Sequence, residues 1–109
     1  MDKLEIINFS HNWNKKLDCT AFTTIRLENN LKYKKGSVYE IHLKKVLHKK
    51  AMILEIKTMY LKDINEYIAN LDTGYSSTET KEILLKMYPT VDFNNKKLMF
   101  ILLKSVSCQ

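Results

Sequence analysis

Glycine, proline, cysteine and tryptophan are all scarce in this chain: two, one, two and one among 109 residues. Two glycines cannot build a glycine-rich phosphate loop or a dinucleotide-binding fingerprint. The single proline excludes collagen-like and proline-rich linker compositions. Cys19 and Cys108 are far apart, with no CxxC spacing to hold zinc or run redox chemistry. They read as free thiols, with a bridge from the tail to Cys19 as the alternative. His11, His42 and His48 have no partner at ligand spacing, so neither a metal nor a cofactor is expected. No Ser-His-Asp order is readable. The longest apolar run near the C-terminus, 98–103, is far short of the roughly 20 residues a membrane span needs. The first ten residues, MDKLEIINFS, alternate charges without the apolar stretch of a signal peptide. These absences predict an intracellular, cytoplasmic chain with no membrane partner.

What is present is ordinary for a globular protein: 45% hydrophobic and 28% charged residues. A length of 109 residues fits one domain, 1–109, around one core. The net charge of +6 is unevenly placed. Residues 1–57 carry 12 Lys or Arg and 6 Asp or Glu, whereas residues 58–109 carry 6 of each. An excess confined to one half predicts a face for polyanions.

Along the chain, 4–9 reads as a short first strand and 12–17 as a helical turn. Residues 21–27, AFTTIRL, are rich in the Thr, Ile and Phe that suit a pleated surface, so they predict a strand. The polar stretch 28–36 closes on Gly36. Residues 37–43 alternate, with Tyr39, Ile41 and Leu43 on one face and Glu40 and His42 on the other. The segment HLKKVLHKK, 42–50, predicts a cationic hairpin connection. Its partner strand is 51–58, with Met52, Leu54 and Ile56 opposite Glu55 and Lys57. The period then changes. Leu61, Ile64, Ile68 and Leu71 form one helical stripe, which should end at Gly74. Ser76-Ser77-Thr78-Glu79 matches a capping box, starting a second helix with Thr80, Ile83, Leu84 and Met87 on one face and Pro89 beyond its end. Residues 97–104 are apolar on both faces, as in a strand inside a sheet. Strands, two helices, then a strand predict a barrel-like α+β domain.

One residue stands out in the FTTIRL segment. Arg26 keeps its charge and carries five donors, so a strand that buries it must supply acceptors. Two arrangements meet that need. Arg26 can line a cleft beside Thr24, two residues away on the same strand face, and grip a phosphate or base edge. Alternatively it is held in an internal ion pair with Asp72 or Glu55.

The run Cys19 to Arg26 resembles the ASCH domain, a branch of the PUA-like superfamily whose pattern is G-x-K-x-x-T-x-R. Thr24 and Arg26 match that pattern; Cys19 and Ala21 replace its glycine and lysine. The likeness extends to the aromatic-rich 9–13, to Tyr33-Lys34-Lys35-Gly36 before a strand, and to a helix ending in Tyr88-Pro89 before the last strand. It implies a small PUA-like β-barrel with two inserted helices. The chain is most similar to small bacterial ASCH proteins that hydrolyse N4-acetylcytidine with a Lys, a Thr and a Glu. Thr24 falls on their threonine and Asp72 near their acid. Ala21, on their lysine, cannot act as a base. Hydrolysis by that route therefore needs another lysine, such as Lys15 or Lys57, in its place.

The resulting expectation is a protein that binds RNA, or a single-stranded nucleic acid, in a basic cleft. Thr24 and Arg26 lie inside it; Lys15, Lys16, Lys34, Lys35, Lys44, Lys45, Lys49 and Lys50 flank it; Tyr75 borders it. Thr24 and Asp72 are the catalytic candidates under the alternative of a small hydrolase acting on a modified nucleoside or on RNA. A viral or mobile-element protein-interaction module is the further alternative. Trp13 and Tyr33 are aromatic candidates for stacking, with core packing as their other reading. Glu79 and Glu82 are assigned to capping and a solvated face.

Overall fold

The computed structural model describes residues 4–106, with only the backbone described at position 14. Cys108, and with it the predicted state of the two thiols, lies outside the described residues; Cys19 is exposed. Five strands form one sheet: β1 Ile6–Phe9, β2 Ala21–Leu27, β3 Val38–Leu43, β4 Val46–Met59 and β5 Leu98–Ser105. Their order across the sheet is β1-β3-β4-β5-β2. β1 runs parallel to β3, and the other neighbours are antiparallel. The sheet curls into a half-barrel whose two edges are β1 and β2. The α+β class is as predicted, and so is the interior place of β5, which pairs on both sides.

The cationic hairpin is tighter than the sequence suggested. β4 begins at Val46, and only Lys44 and Lys45 turn the chain, at φ of 51° and 68°. Lys49 and Lys50 belong to the strand rather than to a loop. The expected inward face of the second half of this hairpin is also corrected. Ala51 and Ile53 are buried, and the register then slips at Leu54, so that Ile56 is the next residue to pack on the core. One extra residue in a strand reverses which side its successors face, and periodicity alone does not reveal it.

The first predicted helix is divided. A 3-10 turn at Leu61–Asp63 stops at Ile64, and α1 runs over Glu66–Asp72. Asp63 accepts from the Tyr60 N–H, and Asn65 caps α1 by accepting from the Ile68 N–H. Short polar side chains competing for backbone donors interrupt the helix there. The stripe shifts accordingly: Leu71 is 60% exposed, while Ala69 and Asp72 face inward. Gly74 follows at φ 81°, as expected of a helix stop. α2, Ser77–Met87, has the predicted reciprocal box between Ser76 and Glu79, and Tyr88 caps its end before Pro89.

Two apolar clusters hold these layers together. Ile7, Phe9, Phe22, Ile41, Ile53 and Ile101 belong to the one inside the curl. Ile25, Ile64, Ala69, Leu84, Phe93 and Leu98 form the other, which joins the helices to the sheet. Among the described residues no helix is long and apolar enough to cross a membrane.

Candidate functional site

Because β1 and β2 are the free edges of the half-barrel, the line between them is not closed by a hydrogen-bonded ladder. Phe9 of β1 and Phe22 of β2 touch across it edge to face, with ring centroids 6.2 Å apart. A cleft of about 200 Å³ opens along this seam. Asn8, Phe9 and Ser10 line one side; Thr24, Ile25 and Arg26 line the other. Asp72, Thr73, Thr80 and Leu84 of the helical layer form its floor, and Trp13 its rim.

Period-two geometry puts Phe22, Thr24 and Arg26 on one face of β2. Phe22 anchors that face in the core, so the next two inward positions meet the seam. The Arg26 Nε donates to Thr24 Oγ1 at 2.9 Å, and its guanidinium carbon lies 4.6 Å from the centre of the Phe9 ring. No carboxylate among the described residues pairs with it. The internal ion pair considered for Arg26 is therefore absent: Asp72 is paired with Lys16, and Glu55 with Lys35 at the surface, at 3.1 Å. No buried side-chain nitrogen among the described residues lacks a partner. The outer two nitrogens of Arg26, which bond no other side chain among the described residues, are therefore reachable by solvent, and Arg26 lines the cleft.

Asp72 is only 4% exposed, and its Oδ1 accepts from Lys16 Nζ and from Thr23 Oγ1, both at 2.9 Å. Lys16 comes from a 3-10 turn, Trp13–Asp18, in which Lys15 adopts φ 53°. That left-handed step leaves Lys15 exposed and turns Lys16 inward, where it is 6% exposed. Burial lowers the Lys16 pKa below the ordinary lysine value; Asp72 opposes this by charge and hydrogen bond, and Arg26 adds to the lowering. The cleft thus has a lysine of its own. It is neither of the substitutes anticipated, since Lys15 and Lys57 are exposed and line no part of the cleft, and Ala21 is exposed at the start of β2.

The remaining cations are dispersed. Lys44 and Lys45 stand beside the cleft, because their N–H groups donate to Phe9 O and Asn8 Oδ1, both at 2.8 Å. Lys34 and Lys35 lie before the other end of β3, roughly 20 Å away for a six-residue strand. Lys49 donates to the Cys19 carbonyl and lies 4.5 Å over the Phe22 ring, and burial lowers its pKa. Lys50 is half-buried opposite Glu40.

Among the aromatics, Trp13 reaches the rim, with His11 tilted against it at 4.4 Å and Tyr75 edge-on at 5.9 Å. Tyr33 is buried beside Tyr39. Sequence reasoning does not single out Thr23, Thr73 and Thr80 as site residues. The hydroxyls of Thr73 and Thr80 lie 2.9 Å apart in the helical wall. A usable signal for Thr80 is its place on the same helix face as Ile83, Leu84 and Met87. Among the described residues no group of His, Cys, Asp and Glu could hold a metal.

The arrangement offers an aromatic wall, a cationic fork and a buried ammonium–carboxylate pair within one opening. Neither a protein-family model, nor a curated protein, nor a solved structure matches the chain.

Proposed function

We propose that this chain is a nucleic-acid-binding domain of the ASCH, PUA-like type that takes an unpaired base of RNA into the seam cleft. The observation that carries the reading is Arg26. Its Nε is fixed on Thr24 and its guanidinium lies over the Phe9 ring, while its outer two nitrogens are left for a ligand. A guanidinium held this way recognises a phosphate or base edge through two parallel bonds. At about 200 Å³ the cleft is below the ~300–1,000 Å³ of pockets for drug-sized ligands, so it suits one ring system. The order of strands and helices, and Thr24 and Arg26 on one strand face, support the PUA-like assignment. Fluorescence anisotropy with labelled single-stranded RNA tests this: wild type binds, and Arg26→Ala weakens binding by roughly 1–3 kcal/mol. Absence of binding to RNA and to both forms of DNA removes the reading.

The Lys16–Asp72 pair favours a second reading, a hydrolase acting on an amide of a modified nucleoside. Burial works against the charged form of Lys16, which lines the cleft, and so favours its taking a proton from an attacking hydroxyl or water. Incubation with N4-acetylcytidine, followed by chromatography, checks it. Turnover should rise with pH and disappear in Thr24→Ala and Lys16→Met; no product with wild type ends this reading.

A further inference from the structure

Arg26 borders a second hollow, on the side away from Thr24. Asn29, Lys32, Tyr33, Tyr88 and Lys96 line it, with Glu28 as its one acid. The hollow and the seam cleft are both lined by Arg26. We infer that this hollow is a phosphate subsite, so that a bound nucleotide places its base in the seam and its phosphate against Arg26, Lys32 and Lys96. The inference rests on the base-binding reading and adds an orientation to it.

Three observations point the same way. None of the three cations is paired with a carboxylate among the described residues. Lys96 gives one bond to the Glu28 carbonyl at 3.0 Å, and Lys32 lies 5.5 Å from the centre of the Tyr33 ring. An ammonium has three donors, so both keep bonds to give. At the opposite end of the cleft the charge is reversed. The hollow beyond Trp13 is bordered by Tyr75, Glu79, Glu82 and Lys86, two acids against one cation. A phosphate is attracted at one end of the cleft and repelled at the other. An RNA strand therefore passes along the Arg26 side and turns one base into the seam.

The test compares the four ribonucleosides with their 5′- and 3′-monophosphates by NMR titration, on wild type and on the double variant Lys32→Ala/Lys96→Ala. Lys96 is exposed and Lys32 half-exposed, and circular dichroism verifies that the variant keeps its fold. In wild type at least one monophosphate should bind about tenfold or more tightly than its nucleoside, and in the variant that ratio should fall to about threefold or less with nucleoside affinity unchanged. Equal binding of nucleoside and monophosphate by wild type overturns the subsite and leaves the base cleft standing, as does a ratio that the variant does not alter. If no nucleoside or monophosphate binds, both the subsite and the base-binding reading fall.

Discussion

Asp72 joins three elements of the cleft wall. A single oxygen of this buried carboxylate receives both the Lys16 ammonium and the Thr23 hydroxyl, and so ties the 3-10 turn to β2 and α1. Two charges removed from water are tolerated because each satisfies the other, and deleting one leaves the second uncompensated. Asp72→Asn should therefore lower unfolding free energy by about 3–5 kcal/mol in urea titration. Thr23→Val, which removes only a neutral donor, should cost about 1 kcal/mol. Equal effects of the two would show that the ion pair is not what holds the turn. Lys15 illustrates the same site from outside: its left-handed backbone, unusual for a lysine, is what directs the next side chain inward.

At the scale of elements, the β3–β4 turn stands against local preference. Two-residue hairpin turns with positive φ at both positions favour asparagine followed by glycine, because a Cβ is strained there. Lys44 and Lys45 occupy both positions. The backbone already fits the favoured pair, so Lys44→Asn combined with Lys45→Gly should raise unfolding free energy by roughly 1–2 kcal/mol. Thermal unfolding of the double variant checks this, and a lowered midpoint would contradict it. The same variant should lose RNA affinity, because it removes two cations from a turn whose backbone is bonded to Phe9 and Asn8 at the side of the cleft. Gain in stability with loss of binding would identify the turn as a place where charge was kept at the expense of conformation.

At the scale of the whole molecule, the excess of positive charge in residues 1–57 was legible from composition, but not how the fold distributes it. Lys35 is paired with Glu55 and Lys16 with Asp72, and Lys34 and Lys35 are separated from Lys44 and Lys45 by the length of β3. Lys96, which contributes to the second hollow, comes from the half of the chain with no net charge. A dispersed set of cations predicts a shallow salt dependence in the RNA titration, about one unit of slope for each phosphate held near Arg26 and not the steep slope of a continuous basic face.

The approximate places of the strands, the second helix and the shared strand face of Thr24 and Arg26 could be read from the sequence because they follow from spacings of two to four residues; the order of the strands could not. The bulge at Leu54, the break at Ile64 and the 56-residue separation between Lys16 and Asp72 could not. These depend on register and on long-range packing, which a local period does not encode.

The unzipped line between the first and second strands has a mechanical corollary. Spreading it apart stretches aromatic edges and side-chain bridges but ruptures no main-chain ladder, so the aperture is the softest dimension of an otherwise cross-braced shell. Flexure there would loosen the Phe9–Phe22 clasp and leave the paired strands in register.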